Sequence, residues 1–194
     1  GYDDRGILTT EKFLGLDEKP VVTKNGFARR ECEHDERGIA TSVSFWGLDE
    51  KPAITKNGFA KVEWEHDERG NVKNEAYYGA DGRPTTDQNG VAGIAREYDS
   101  HGNVTRVAYF NKDGKATAHK DGSASVAQEH NERGAVIRQA FFDAEGRPAV
   151  HKDGYAAVVW EYNERGEAIR QAFFDAEGKP AVHKDGYAAV VWEY

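Results

Sequence analysis

The chain is expected to be an all-β array of hairpin repeats. Three observations carry this expectation: a strict internal period, glycine-closed turns at fixed places in each period, and two-residue alternation of apolar residues between those turns. One 32-residue unit is written six times, starting at Tyr2, His34, His66, Tyr98, His130 and Tyr162, with no insertion or deletion. The units are 2–33, 34–65, 66–97, 98–129, 130–161 and 162–193, read as a single array. Gly1 precedes the first, and Tyr194 would open a seventh. In such an array each unit buries its apolar face against its neighbours and has no private core.

The sixth unit, Tyr162 to Glu193, shows the elements in order. The first turn is Asn163-Glu164-Arg165-Gly166, the second Asp175-Ala176-Glu177-Gly178, the third His183-Lys184-Asp185-Gly186. Asp or Asn at the opening position and Gly at the fourth suit a type I turn followed by a residue with positive φ. The first and third glycines recur in all six units. The middle one is replaced by Glu18 and Glu50 in the first two.

Between turns the chain alternates. Ala188, Val190, Trp192 and Tyr194 share one side of a strand, and Tyr187, Ala189, Val191 and Glu193 share the other. In the second unit the same split separates Ala60, Val62, Trp64 and His66 from Phe59, Lys61, Glu63 and Glu65. The Ala–Val–Trp side is therefore the expected core. An alanine holds its second position in every copy: Ala28, Ala60, Ala92, Ala124, Ala156 and Ala188. Counting outward from the first turn sets Ala168 opposite Tyr162 and Phe174 opposite Ala156, a large residue against a small one. The segment Lys179 to His183 is short, and Pro180 limits its hydrogen bonding, so it reads as an edge segment. Each unit is thus predicted as three antiparallel segments, long, short and long. Helix is excluded by the two or more glycine turns, and usually a proline, that interrupt every unit. An open, coiled hairpin sheet is the first expectation of topology, a parallel β-solenoid the second, and a closed six-unit ring the third.

Composition narrows the function classes. Hydrophobic residues make up 38% and charged residues 31% of the 194, polar for a domain of this length but too aromatic for disorder. The net charge of −8 opposes phosphate backbones and anionic lipid, so neither nucleic acid nor a membrane surface is expected as partner. No apolar run approaches a membrane span, and no signal peptide is present. A chain that opens on Gly and holds no Met reads as an excised fragment. Cys32, the single cysteine, aligns with Trp64, Trp160 and Trp192, which marks a packing position.

The Tyr-Asn-Glu-Arg-Gly turn with its following strand, and the Phe-Phe-Asp-Ala-Glu-Gly-Lys turn after it, resemble the tyrosine-aspartate (YD, Rhs-type) repeats of bacterial surface and toxin proteins. Tyr98-Asp99-Ser100-His101-Gly102-Asn103 matches that motif best, with Tyr2-Asp3-Asp4-Arg5-Gly6 close to it. The resemblance implies long β-hairpin sheets and a bacterial, secreted or cell-surface setting. The chain departs from it in its longer period, in the added Lys-Asp-Gly turn, and in His34, His66 and His130 at the signature Tyr. Segments such as Tyr109-Phe110-Asn111-Lys112-Asp113-Gly114-Lys115-Ala116 are more loosely similar to choline-binding, glucan-binding and clostridial-toxin hairpin repeats. Those families bind glycans between aromatic hairpins.

A candidate site follows from paired bulky residues at one strand end: Phe13-Leu14, Phe45-Trp46, Tyr77-Tyr78, Tyr109-Phe110, Phe141-Phe142 and Phe173-Phe174. Neighbours in a strand point to opposite faces, so one of each pair is core and the other lies on the second face. The expected ladder on that second face is Phe13, Phe45, Tyr77, Tyr109, Phe141 and Phe173, either ligand-facing or buried by coiling or by the short segment. Rings in a row suit sugars and extended peptides.

The remaining columns carry no reaction. His119, His151 and His183 precede the third turns, and His34, His66 and His130 hold the Tyr position. Ligands of one zinc ion must all lie within about 2 Å of it, closer than repeat spacing allows. The nearest calcium-loop start, Asn111-x-Asp113-Gly114, meets Gly122 where a bidentate glutamate is needed. Glu33, Glu65, Glu97, Glu129, Glu161 and Glu193 form a ladder, read as ion-paired with the turn arginines Arg5, Arg37, Arg69, Arg133 and Arg165. No nucleophile elbow or phosphate loop is present. The expectation is a non-catalytic module with no metal or cofactor, binding a glycan or polymer through repeated aromatic sites. The alternatives are a structural stalk or shell segment and a protein-binding sensor ectodomain. End-to-end self-association is expected from the uncapped ends.

Overall fold

The computed structural model describes residues 1–194 and is all-β, with twelve antiparallel strands and no helix. The strands are β1 (Thr10–Lys12), β2 (Arg29–His34), β3 (Ala40–Trp46), β4 (Lys61–His66), β5 (Val72–Tyr78), β6 (Gly93–Tyr98), β7 (Val104–Phe110), β8 (Ser125–His130), β9 (Val136–Phe142), β10 (Ala157–Tyr162), β11 (Ala168–Phe174) and β12 (Ala189–Val191). Their order in the sheet is their order in the chain, and the sheet is open. The hairpin expectation holds. The parallel solenoid and the closed ring do not, because every neighbour pair is antiparallel and the order runs from β1 to β12.

Each repeat contributes two strands, not three. The expected short segment is reduced to one bridge, Phe174 to Pro180 in the last repeat, and its equivalents at Pro20, Pro52, Pro84, Ala116 and Pro148. Turns at 175–178 and 183–186 leave four residues between them, and Pro180 has no N–H to extend a ladder. Residues between the second turn and the next strand therefore form a flap folded over one face. Ala181 N–H donates to the Phe173 carbonyl (2.9 Å) and His183 N–H to that of Tyr187 (2.8 Å).

The register corrects the face assignment. Tyr162 does face Ala168, as counted from the turn. One residue further the pairing slips, so that Glu161 faces Arg170 and Ile169 is the extra residue of a β-bulge. Beyond it Val158 faces Phe173, and Phe174 faces Ala157, not Ala156. A one-residue slip moves a whole strand half to the other face. The same shift recurs between Glu33 and His34, Glu65 and His66, and Glu129 and His130.

By contacts the array divides into two compact units, residues 1–94 with 111–115, and 95–110 with 116–194. In the first, the core is an aromatic spine. Rings alternate between strand and flap, Phe13–Phe27–Phe45–Phe59–Tyr77, with centroid separations of 5.6, 4.8, 6.1 and 4.7 Å. In the second, Phe141–Tyr155–Phe173–Tyr187 continues the pattern at 5.8, 4.7 and 5.8 Å. Val62, Val158 and Ala28, Ala60, Ala92, Ala124 and Ala156 are buried beside the spine, as expected. The tryptophans are not. Trp64 and Trp160 are half-buried and Trp192 is 37% exposed. The flap covers the Ala–Val end of each strand, whereas the Trp lies towards the first turn. Ala188 and Val190 are also only half-buried, since β12 has a neighbour on one side alone.

Candidate functional site: a repeated groove on the second face

The bulge puts Phe45, Tyr77, Phe141 and Phe173 on the face that the flaps cover, and the flap rings Phe27 and His119 pack on Phe13 and Tyr109 there. Tyr77, Phe141 and Phe173 are only 3–5% exposed, and Phe13, Phe45 and Tyr109 are half-buried. Their expected place on the second face is thereby corrected, while burial by the short segment, the other expectation for this row, is what is found. The rings are the core itself, packed against flap residues. The second face carries the other member of each pair: Leu14, Trp46, Tyr78, Phe110, Phe142 and Phe174. The doublet pattern announced two rows, and only the uncounted bulge decided which row was which.

On this face the strands lay down three kinds of position. Near the first turn lies the glutamate column with its cross-strand partners. Glu129 pairs with Arg138 (2.8 Å) and Glu161 with Arg170 (2.6 Å), while Glu33 accepts from Ser42 and Glu65 from Asn74, each at 2.6 Å. Contrary to expectation, Arg5 and Arg37 are held by their own turn carboxylates, Asp3 and Asp35, Arg133 by the Glu164 carbonyl and Arg165 by Glu167. In mid-strand come small residues such as Ser44, Ala140 and Ala172. At the far end stand the aromatics.

A groove forms where small residues run between two aromatic walls. In the first unit Trp46 and Tyr78 flank a space of about 510 Å³ floored by Ser44, Lys61 and Glu63 and closed by Pro52. In the second unit Phe142 and Phe174 flank about 410 Å³ floored by Ala140, Ala157 and Val159 and closed by Pro148. The two grooves are the same place three repeats apart. Each named residue of one lies 96 positions from its counterpart in the other.

Their electrostatics differ. In the first groove Lys61 Nζ lies 2.7 Å from Glu63 Oε1. The hydrogen bond from Lys61, helped by one from Tyr78, holds the Glu63 carboxyl below its usual pKa, and the same carboxylate pushes the Tyr78 phenol up. The guanidinium of Arg29 sits 4.9 Å above the Trp46 ring, a cation–π contact. The Trp46 indole N–H has no hydrogen-bond acceptor. The second groove has an apolar floor, with Arg138 and Glu177 at its borders.

The histidines of the third turns belong to the spine. His119 stacks on Tyr109 and His151 on Phe141, each at 4.8 Å, and His183 lies 5.2 Å from Phe173. Each Nδ1 accepts the N–H two residues on, from Asp121, Asp153 or Asp185. Thr23 and Thr55 hold the same turn position by donating to the carbonyls of Phe27 and Phe59. The column is a turn-capping position filled by several chemistries. No group of three or more His, Cys, Asp or Glu is placed to hold a metal ion. Cys32 is half-buried, and burial raises its thiol pKa, which disfavours the reactive thiolate.

The chain matches no protein-family model and no curated protein.

Proposed function

We propose that this is a non-catalytic repeat module that binds a glycan or similar polymer in the aromatic-walled grooves of its second face. The observation that carries the reading is the recurrence of one groove at Trp46/Tyr78 and at Phe142/Phe174. Sugars present apolar ring faces and rows of hydroxyls. A groove with two ring walls and charged groups around it suits both. Recurrence offers a polymer more than one point of attachment. A bacterial surface or secreted setting, by the likeness to YD-type hairpin repeats, belongs to the same proposal.

The test is a glycan array on the whole chain, followed by titration of the best oligosaccharide. The double substitutions W46A/Y78A and F142A/F174A should each weaken binding about ten-fold, with circular dichroism unchanged. Loss of binding to F141A instead, in a protein that remains folded, would return the site to the buried row. A second reading is a structural segment that carries other domains, favoured by the spine that runs from Phe13 to Tyr77 in one unit and from Phe141 to Tyr187 in the other. An array without any retained glycan would leave that reading in its place.

A further inference from the structure

The first turns are stacked by an arginine that one turn extends to the next. Arg5 Nη1 donates to the carbonyls of Asp35 (3.0 Å) and Glu36 (3.1 Å). Arg37 Nη1 donates to those of Asp67 (3.4 Å) and Glu68 (3.1 Å). Arg133 Nη1 donates to that of Glu164 (2.5 Å). The acceptors are the first two carbonyls of the following turn for Arg5 and Arg37, and the second of them for Arg133.

The fourth repeat breaks this pattern. His101 stands in the arginine column. Its backbone N–H still donates to Asp99 Oδ1 (2.8 Å), as the arginine N–H does in the other turns. An imidazole is shorter than an arginine and lacks the five-donor fork. Between this turn and the next, wholly inside the second unit, lies a groove of about 470 Å³ lined by Asp99, His101, Asn103, His130, Asn131, Glu132, Arg133 and Gly134, with the Arg133 guanidinium committed to the Glu164 carbonyl of the following turn. Asn131 and Glu132 are the counterparts of the residues whose carbonyls take the guanidinium of Arg5 and Arg37. Asp99 adds a carboxylate, held below its usual pKa chiefly by the side chain of Asn103. Nδ1 of His130 is buried without a partner. The wall thus offers acceptors in the arrangement that binds guanidinium elsewhere in the same chain.

We propose that this groove is a binding site for a guanidinium group, carried by an arginine of a partner polypeptide or by free arginine. The ligand stands where the chain's own arginine stands in the other copies. The site is independent of the aromatic grooves, which lie at the opposite strand ends.

The test follows backbone amide shifts of the labelled chain during titration with N-acetylarginine amide, N-acetyllysine amide, free arginine and an arginine-containing peptide. Saturable shifts at His101, Asn103, Asn131 and Glu132 are expected in the millimolar range with arginine ligands, and at least ten-fold weaker with the lysine ligand. H101R should abolish them by filling the groove in cis, and should raise the unfolding midpoint. R37H should open a second site, with new saturable shifts at Asp67 and Glu68. Peptide bound ten-fold tighter than free arginine supports a polypeptide partner, and equal binding supports the small molecule. Shifts that do not saturate, that saturate equally with lysine, or that persist in a folded H101R overturn the proposal. If H101R does not fold, R37H decides, and the absence of new shifts there overturns it.

Discussion

Val158 faces Phe173, not Phe174, across the β10–β11 ladder, and the equivalent pairings Arg30–Phe45, Val62–Tyr77 and Val126–Phe141 assign their doublets to the same faces. Val158 is 1% and Phe173 3% exposed, whereas Phe174 is half-buried at the border of a groove. Phe173→Ala should therefore lose about 3–5 kcal/mol by leaving a cavity in the spine. Phe174→Ala should lose about 1 kcal/mol, as is common for partly exposed sites. Urea denaturation of the two variants checks the register. Equal or reversed losses would mean that the bulge at Ile169 is misplaced.

The flap glycines Gly26, Gly58, Gly122 and Gly154 are under two constraints, and the second-turn glycines under one. Gly154 has φ +100°, and a Cβ there would lie 2.9 Å from the Val182 carbonyl oxygen of the next repeat. Gly146 has φ +80° with nothing within 4 Å of such a Cβ. Gly146→Ala should cost about 1–2 kcal/mol, the left-handed penalty alone. Gly154→Ala should cost clearly more, since the flaps must also separate. That separation would strain the hydrogen bond from Lys184 N–H to the Asp153 carbonyl (2.7 Å). Thermal unfolding of both variants decides, and equal midpoints would refute the close approach.

Glu50 occupies the same left-handed turn position, with φ 58°. Glu50→Gly should relieve that conformation and stabilise the chain, by up to about 1 kcal/mol once the greater freedom of unfolded glycine is subtracted. A lower unfolding midpoint would show that the Glu50 side chain contributes more than its backbone strain removes.

Acid should loosen the flaps. Burial holds His151 below the ordinary imidazole pKa of 6.5, against the pull of Asp153 and Asp121. The unfolded chain then takes up the proton more readily than the folded one. The stabilisation is complete above about pH 6.5 and is lost as the pH falls towards the folded value. Asp121 and Asp153 are held below the ordinary carboxylate value of 3.8, chiefly by hydrogen bonds from Lys152 and Lys184. Their contribution disappears at still lower pH. Unfolding midpoints from pH 8 to pH 3 should fall in two stages, and His151→Gln should remove the first. A flat profile down to pH 5 would argue against a neutral, buried His151.

The edge strand β12 is paired only with β11, and its last residue Val191 and the nearby Tyr194 are 66% and 71% exposed. An unpaired apolar edge recruits further strands. Sedimentation velocity should show association that grows with concentration, and Val191→Lys should suppress it. A monomer at every concentration would place no partner on this edge.

Much of the fold was legible in the residues. The period, the glycine turns, the antiparallel hairpins and the buried alanine column follow from local chemistry. Turn conformation is set within four residues, and side-chain direction alternates with every one. Both aromatic rows were equally visible, since each doublet must split between faces. The bulge at Ile169 leaves no comparable mark. It depends on how two strands settle against each other beyond the turn, so counting outward reached the wrong face.

The short segment failed as a strand for a related reason: what Pro180 and its neighbours do depends on the face they fold onto. By itself the sequence determined a repeating all-β array in which one row of rings is core and one is not. Only the tertiary structure decided which row is open, that the flaps cover the other, and that His101 leaves a groove where its siblings reach across. Those are matters of register and of reach between repeats, and a residue's own preferences do not encode the distance to the next copy.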